Sequence, residues 1–266
     1  MFLSKAGLEN LKKEEGIIDG LYDDPMGFCT FGVGHLVDQN HKWECFLLKV
    51  ALGNEIWSRN VSRMWPGTRA ERPYLTRGTA LMDKFDELKV SAVEDAKPII
   101  AGRKYNKDIK NLSLAERKAV DETAKSAVDA QGSILARTPD DVLREDLVVF
   151  ETAVRSAVTE TLAQDEFDAL VSLCFNIGPG AFKRSSLVKE INKGKYRAAG
   201  EKNRKASIEA IENEFAAWNK SKLKGVAKRR QREADLFLGQ ARKELAELEK
   251  KTSPEPKKVL SPGTLP

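Results

Sequence analysis

Long apolar runs, histidine and cysteine are all scarce in this 266-residue chain. No stretch reaches the roughly eighteen consecutive apolar residues of a membrane-spanning helix, so no transmembrane span is expected. Two histidines, His35 and His41, without clustered thiolate or carboxylate ligands, do not make a metal centre. Cys29, Cys45 and Cys174 are an odd, scattered set, which predicts three isolated thiols and no disulfide framework. The first residues are too charged for a secretory signal, since Lys5, Glu9, Lys12 and Lys13 interrupt them, so synthesis in the cytoplasm is expected. Zinc-ligand spacing, a ribonucleoprotein motif and a helix-turn-helix signal are also missing, which argues against nucleic acid as a partner.

What is present is globular material. A hydrophobic content of 41% beside 32% charged residues fits a helix-rich chain with a sizeable core. Positive charge is uneven: residues 218–258 hold thirteen Lys/Arg against six Asp/Glu, net +7, while the whole chain is +5. A basic end favours approach to anionic polymers, and a solvated helix face is the plainer reading of the same run.

The densest chemistry lies in residues 15–35, EGIIDGLYDDPMGFCTFGVGH. The preceding residues, 2–14, read as a short amphipathic helix with Leu8 and Leu11 on one face. Glu15 falls on that face, and Gly16 ends or bends the helix. A carboxyl at the edge of an apolar face holds its proton more tightly, which suits a general acid. Beyond Gly20 the period changes. Leu21 and Tyr22, then Phe28, Thr30, Phe31 and Val33, read as two short strands with a turn at Asp24-Pro25-Met26-Gly27. Pro25 pushes Asp24 toward an extended conformation, at the lip of a hairpin where a carboxylate stays solvated and ionised. The Thr30 hydroxyl both donates and accepts, so it can orient a water against Asp24. A protonated carboxyl, an ionised carboxyl and a placed water are the components of an inverting glycosidase. Glu, Asp and Thr beside a turn are also common where there is no chemistry, and spacing alone favours that reading. The Gly32-x-Gly34 pair is not a phosphate loop, because no Lys-Ser/Thr follows it.

The pattern Glu15, Gly16, Tyr22, Asp24, Gly27, Thr30, Gly32, Gly34 and His35 resembles the catalytic signature of the phage-type lysozymes, glycoside hydrolase family 24. The resemblance implies Glu15 as acid, Asp24 as base-side carboxylate and Thr30 as the water-holding hydroxyl. It also implies Tyr22 as a substrate contact and His35 as a hydrogen-bonded brace of the hairpin. Glu14 and Asp23 fail the spacing. Residues 164–182 are similar to the family's carboxy-terminal lobe: Phe167, Leu170, Val171 and Cys174 form one helical stripe, broken at Asn176 and Gly178-Pro179-Gly180. Asn176 either contacts sugar or caps that helix. Residues 185–199 and 215–237, the latter with Trp218, Gly225 and Arg229-Arg230-x-x-Glu233, continue the likeness.

The family implies a mainly α (α+β), lysozyme-like fold of two lobes, with a small β-hairpin in the amino-terminal lobe. It implies no cofactor, and a muramidase that cuts the β-1,4 bond between N-acetylmuramic acid and N-acetylglucosamine in peptidoglycan glycan strands. Without a signal peptide, such a chain reaches the periplasmic cell wall through a holin or a secretion system. A chitin or chitosan hydrolase, a catalytically silent binding protein on a lysozyme fold, and a secreted antibacterial effector with the same activity are the alternatives.

The family's helix linking the lobes corresponds to residues 139–158, with Thr138 as N-cap and Pro139 at the first helical position. Residues 37–136 then form an insert without a counterpart. Its sequence predicts helical segments at 42–58 and 79–97, another opened by a Ser113-x-x-Glu116 capping box, and an irregular basic stretch at 59–77. Such a subdomain packs on the catalytic lobe, binds the wall through Trp57, Trp65 and Tyr74, or docks a protein partner. The domain reading is therefore a catalytic lobe at 1–36, an inserted helical subdomain at 37–136, a carboxy-terminal lobe at 137–251 and a flexible Pro-rich tail at 252–266.

Overall fold

The computed structural model describes residues 1–24, 26–38, 43–53, 74–78, 81–198, 200–220 and 223–252. Pro25, His41, Trp57, Trp65 and residues 253–266 of the expected tail lie outside the described residues, as does most of the 59–77 stretch.

The fold is mainly α with a small antiparallel sheet. The strands are β1 (Ile18–Asp23), β2 (Cys29–Gly32), β3 (His35–Leu36) and β4 (Leu75–Thr76), in the order β3-β2-β1-β4. The helices are α1 (Lys5–Glu15), α2 (Phe46–Leu52), α3 (Phe85–Tyr105), α4 (Leu114–Leu135) and α5 (Pro139–Ala157), then α6 (Gln164–Ile177), α7 (Pro179–Lys183), α8 (Ser186–Ile191), α9 (Glu201–Ala217) and α10 (Lys224–Thr252). Two compact units divide the chain: Glu9–Val148, and Met1–Leu8 together with the chain from Val149 onward.

In the first unit the expected hairpin is the centre of a larger sheet. β1 and β2 pair with Leu21 opposite Phe31, Tyr22 opposite Thr30 and Asp23 opposite Cys29. β4 comes from the edge of the stretch expected to be irregular. Two residues show no period, and the strand exists because Gly20 lets it close: a Cβ there would lie 1.8 Å from the Leu75 carbonyl oxygen. Leu21 and Phe31 of the sheet share one apolar core with Trp43, Phe46, Leu47, Ile100, Val120, Val128 and Leu135. Helices of the 37–136 segment thus pack directly on the sheet. Gln131 of α4 fastens the start of α2 to this core. Its Oε1 accepts the Leu47 N–H at 3.1 Å and its Nε2 donates to the Glu44 carbonyl at 3.0 Å.

Local signals set the helix starts. Ser113 Oγ accepts the Glu116 N–H at 3.3 Å while the Glu116 carboxylate accepts the Ser113 N–H at 2.7 Å, the expected capping box of α4. Thr138 accepts the Asp141 N–H at 3.1 Å and so opens α5. The helix expected at 79–97 begins later and runs through Pro98 to Tyr105. Burial of Ile100 and Ala101 beyond the proline offsets the lost hydrogen bond.

One expectation is overturned. Cys29 and Cys45 are joined by a disulfide, with their Cα atoms 4.8 Å apart, so the cysteines are not three isolated thiols. Spacing could not reveal the pair, because the sheet brings it together: the Cys29 N–H donates to the Trp43 carbonyl at 2.9 Å, two residues before Cys45. Cys174 alone is free, and burial pushes its thiol up to about 12, which makes it inert.

The second unit is built around α6, whose stripe of Phe167, Leu170, Val171 and Cys174 is buried as expected. α10 lies against α6 and α9, and Phe237 of α10 meets Tyr196 and Phe215 with ring centroids 5.4 and 5.8 Å away. Ser4 caps α1 by accepting the Gly7 N–H at 2.9 Å. Gly7 allows α1 to rest on Asp168, where a Cβ would meet a carboxylate oxygen at 2.6 Å.

Candidate active site

Glu15, Asp24 and Thr30 all belong to the Glu9–Val148 unit. Glu15 is the last residue of α1 and is half-buried. Gly16 follows with φ 73°, and its N–H reaches back to the Lys12 carbonyl at 2.8 Å. The glycine therefore ends the helix as expected, because a left-handed residue cannot continue it.

Asp24 follows β1 directly. Its Oδ1 accepts the N–H of Met26 at 2.8 Å and of Phe28 at 2.9 Å. The backbone closes the same turn, with Asp24 N–H donating to the Phe28 carbonyl at 2.9 Å and Gly27 N–H to the Asp24 carbonyl at 3.0 Å. A carboxylate used this way is held in one orientation, and among the described residues both of these bonds fall on one of its two oxygens.

Thr30 is only 2% exposed. Its hydroxyl donates to the Phe28 carbonyl at 3.0 Å. The proton is thus committed to the hairpin, and the oxygen is left to accept one from water. Thr30 stands opposite Tyr22, and strand alternation continued past Asp23 puts Asp24 on the same face as these two. Tyr22 is itself 2% exposed, so any sugar contact it makes is through a narrow edge.

His35 braces the hairpin by a hydrogen bond, as expected. Its Nδ1 lies 3.0 and 2.9 Å from the two oxygens of Asp146, which ties β3 to α5. Asp23, set aside on spacing, has a conspicuous environment. Its carboxylate accepts the Cys45 N–H at 3.0 Å. Burial pushes its pKa up to about 7, against the lowering effect of that hydrogen bond, and the charges of Glu44 and Asp24 add to the rise. No sequence signal distinguishes Asp23, because its partner lies 22 residues away.

In the second unit, Asn176 is exposed in the last turn of α6, and its Oδ1 accepts a hydrogen bond from Arg230. The helix ends instead at Gly178, with φ 85° and its N–H on the Cys174 carbonyl at 2.9 Å, so Asn176 is not the cap. Arg229 and Arg230 both bond Glu233, the former at 3.0 Å, and the Ser172 hydroxyl donates to the same carboxylate at 2.7 Å. This network explains the Arg-Arg-x-x-Glu spacing: positions three and four apart share a helix face. Among the described residues no group of three or more His, Cys, Asp or Glu could hold a metal ion, and no helix is long and apolar enough to cross a membrane.

A family model described as Phage lysozyme matches residues 118–233. Over those residues the chain is similar to the phage lysozyme family. The match runs from α4 into α10 and includes Asn176 and the Arg229-Arg230-Glu233 network. It begins before the 139–158 helix and downstream of Glu15, Asp24 and Thr30. The endolysin of Bacillus phage PZA is 36% identical over 115 residues, 42% of this chain and 40% of that protein. The endolysin of Salmonella phage P22 is 35% identical over 108 residues, 40% of this chain and 66% of that protein. The chain therefore spans less than two thirds of the curated relatives it matches. An endolysin structure from Escherichia coli O157:H7 phage FAHEc1 aligns over 90% of this chain and 95% of that one, at 21% identity and a TM-score of 0.44, a likeness too loose to bear on fold or function.

Proposed function

We propose that this protein is a peptidoglycan hydrolase, a muramidase acting on the β-1,4 bond between N-acetylmuramic acid and N-acetylglucosamine. The similarity to the phage lysozyme family over residues 118–233 supports the substrate class. The observation that carries the chemistry is the hairpin: one carboxylate held by two backbone N–H groups, on the same face as a threonine whose proton is already committed.

In this reading Glu15 donates its proton to the glycosidic oxygen as the C–O bond breaks. Thr30 accepts a hydrogen bond from a water, and Asp24 takes that water's second proton as its oxygen attacks the anomeric carbon from the opposite face. The product has inverted configuration. Asn176, oriented by Arg230, offers its amide N–H to a sugar acyl or hydroxyl group, and Tyr22 supports the face that carries Asp24. Neither cofactor nor metal enters this scheme. The 37–136 segment is read as an insert that buttresses the sheet, and 137–251 as the carboxy-terminal lobe. The disulfide supports action in an oxidising compartment, as expected of a protein that reaches the wall through a holin or a secretion system.

Purified peptidoglycan, wild-type protein and Glu15→Gln test the proposal. Soluble muropeptides with reducing muramic ends and inverted anomeric configuration, released by the wild type and lost in the folded variant, are the expected result. Products unchanged by the substitution would remove Glu15 from the mechanism, and no products from either would remove the proposal itself.

A further inference from the structure

We propose that Asp23 and the Cys29–Cys45 disulfide form a buckle that positions Asp24 and Thr30, an inference that rests on the hydrolytic reading of the hairpin. Each proposed water-handling residue follows a buckle residue directly in sequence: Asp24 follows Asp23, and Thr30 follows Cys29. Asp23 and Cys29 also face each other across the ladder. Cys45 closes the circuit from outside it, with its sulfur bonded to Cys29 and its backbone N–H donating to the Asp23 carboxylate at 3.0 Å. Two further bonds seat the same strand, Cys29 N–H to the Trp43 carbonyl at 2.9 Å and Val37 N–H to the Cys29 carbonyl at 3.0 Å.

The need for such a device follows from hairpin physics. A one-residue slip of β2 against β1 turns every side chain to the other face, and would remove Thr30 from Asp24. A short hairpin is marginal by itself. The apolar core holds Leu21 and Phe31, but these lie on the opposite face of the ladder from Tyr22 and Thr30. The buckle links that core to the turn end: Cys29 and Cys45 belong to the core, and Cys45 holds Asp23, which directly precedes Asp24. Asp23 is 9% exposed, and a carboxylate buried for the sake of one backbone N–H is a poor stabiliser compared with an apolar side chain. Its facing charges do not relieve it fully: Glu44 and Asp24 oppose its ionisation, while Arg103 favours it but is bonded to Glu44 at 2.8 Å. Asp23 touches neither substrate nor water in this scheme and is a positioning residue.

The test uses the full chain as Asp23→Ala, Asp23→Asn and the Cys29→Ala/Cys45→Ala double variant. Turnover on peptidoglycan and hydrogen exchange at the amides of residues 26–31 are both measured. Misplacement of Asp24 against Thr30 by about an ångström predicts a kcat loss of about 10- to 100-fold in D23A and the double variant, with KM within about threefold of wild type. Exchange at the hairpin amides accelerates in both, and D23N, which keeps an oxygen to accept the Cys45 N–H, recovers most of what D23A loses. Folded variants with wild-type kcat, or with kcat lost while hairpin exchange is unchanged, overturn the buckle. If the double variant does not fold, D23A, which retains the disulfide, decides by the same two readouts. If the wild type releases no muropeptides, the hydrolytic reading fails, and exchange in D23A alone then supports or overturns the buckle.

Discussion

The two units solve the problem of buried charge in opposite ways. In the Glu9–Val148 unit the described residues give the buried carboxylate of Asp23 one donor, a backbone N–H, and burial pushes its pKa up to about 7. In the other unit Glu233 is 5% exposed and Arg230 1%, yet two guanidinium groups and a serine hydroxyl satisfy that carboxylate. One buried charge is tolerated for the geometry it sets. The other is part of a network that fastens α10 to α6, since Arg229 also donates to the Ser172 carbonyl at 3.1 Å. A buried carboxylate therefore has opposite expected effects when neutralised in the two units.

The sharpest test of this contrast, and the largest expected effect, is Glu233→Ala. Removing a carboxylate that two buried arginines bond should cost about 3–5 kcal/mol, read as a lower urea midpoint. A loss below about 1 kcal/mol, the range of exposed pairs, would break the comparison. Asp23→Asn should do the reverse at neutral pH. The folded pKa of Asp23, about 7, lies above its ordinary value of 3.8. Native protein therefore binds more protons than unfolded protein between those values. Stability from this group is fully present below about pH 4 and is lost as pH rises through about 7, at up to about 1.4 kcal/mol per pH unit. D23N should melt higher than wild type at pH 8 and show a flatter dependence of Tm on pH across that window. Equal slopes for the two proteins would show that Asp23 is not the titrating group.

Packing gives the next expected effect. Gly132 of α4 lies under the ring of Phe85, where a Cβ would approach Cζ to 2.1 Å. Gly132→Ala should cost about 1–3 kcal/mol by overpacking, although alanine is the better helix former. The companion change Phe85→Leu should restore part of that loss in the double variant. Full additivity of the two single effects would mean that they do not meet.

How much of this was legible in the sequence depends on the range of each interaction. Local signals were readable: the Ser113 capping box, Thr138 before Pro139, Gly16 after α1 and the α6 stripe all act within one or two turns. The motif from Glu15 to His35 was legible as a pattern, and the structure adds the hydrogen bonds that orient Asp24 and Thr30. What could not be read depends on contacts between distant segments. The Cys29–Cys45 pair needs the sheet, β4 needs the bare backbone at Gly20, and His35 finds Asp146 111 residues away. Asp23 was set aside because spacing distinguishes it from Asp24 only by one position, while burial and Cys45 distinguish it fully. That the insert is helical and packs on the catalytic lobe was readable, but which residues of the sheet its helices face was not, because apolar residues carry no mark of their partners.

The smallest effects should be those of the helix caps, and they test whether charge alone separates the units. Thr138 opens α5 by accepting the Asp141 N–H at a half-exposed site. Ser185 opens α8 by accepting the Val188 N–H at 3.2 Å in a buried one. Alanine at either position should cost about 0.5–2 kcal/mol. Thr138→Ala belongs at the lower end, because water reaches the freed N–H. Ser185→Ala belongs at the upper end, because the Val188 donor is left in the interior without a partner of equal strength. Chemical denaturation of both variants under one set of conditions gives the difference directly. If the two losses are equal, burial does not set the worth of a polar contact here, and the opposite responses expected of Glu233 and Asp23 need a cause other than how well each buried carboxylate is satisfied.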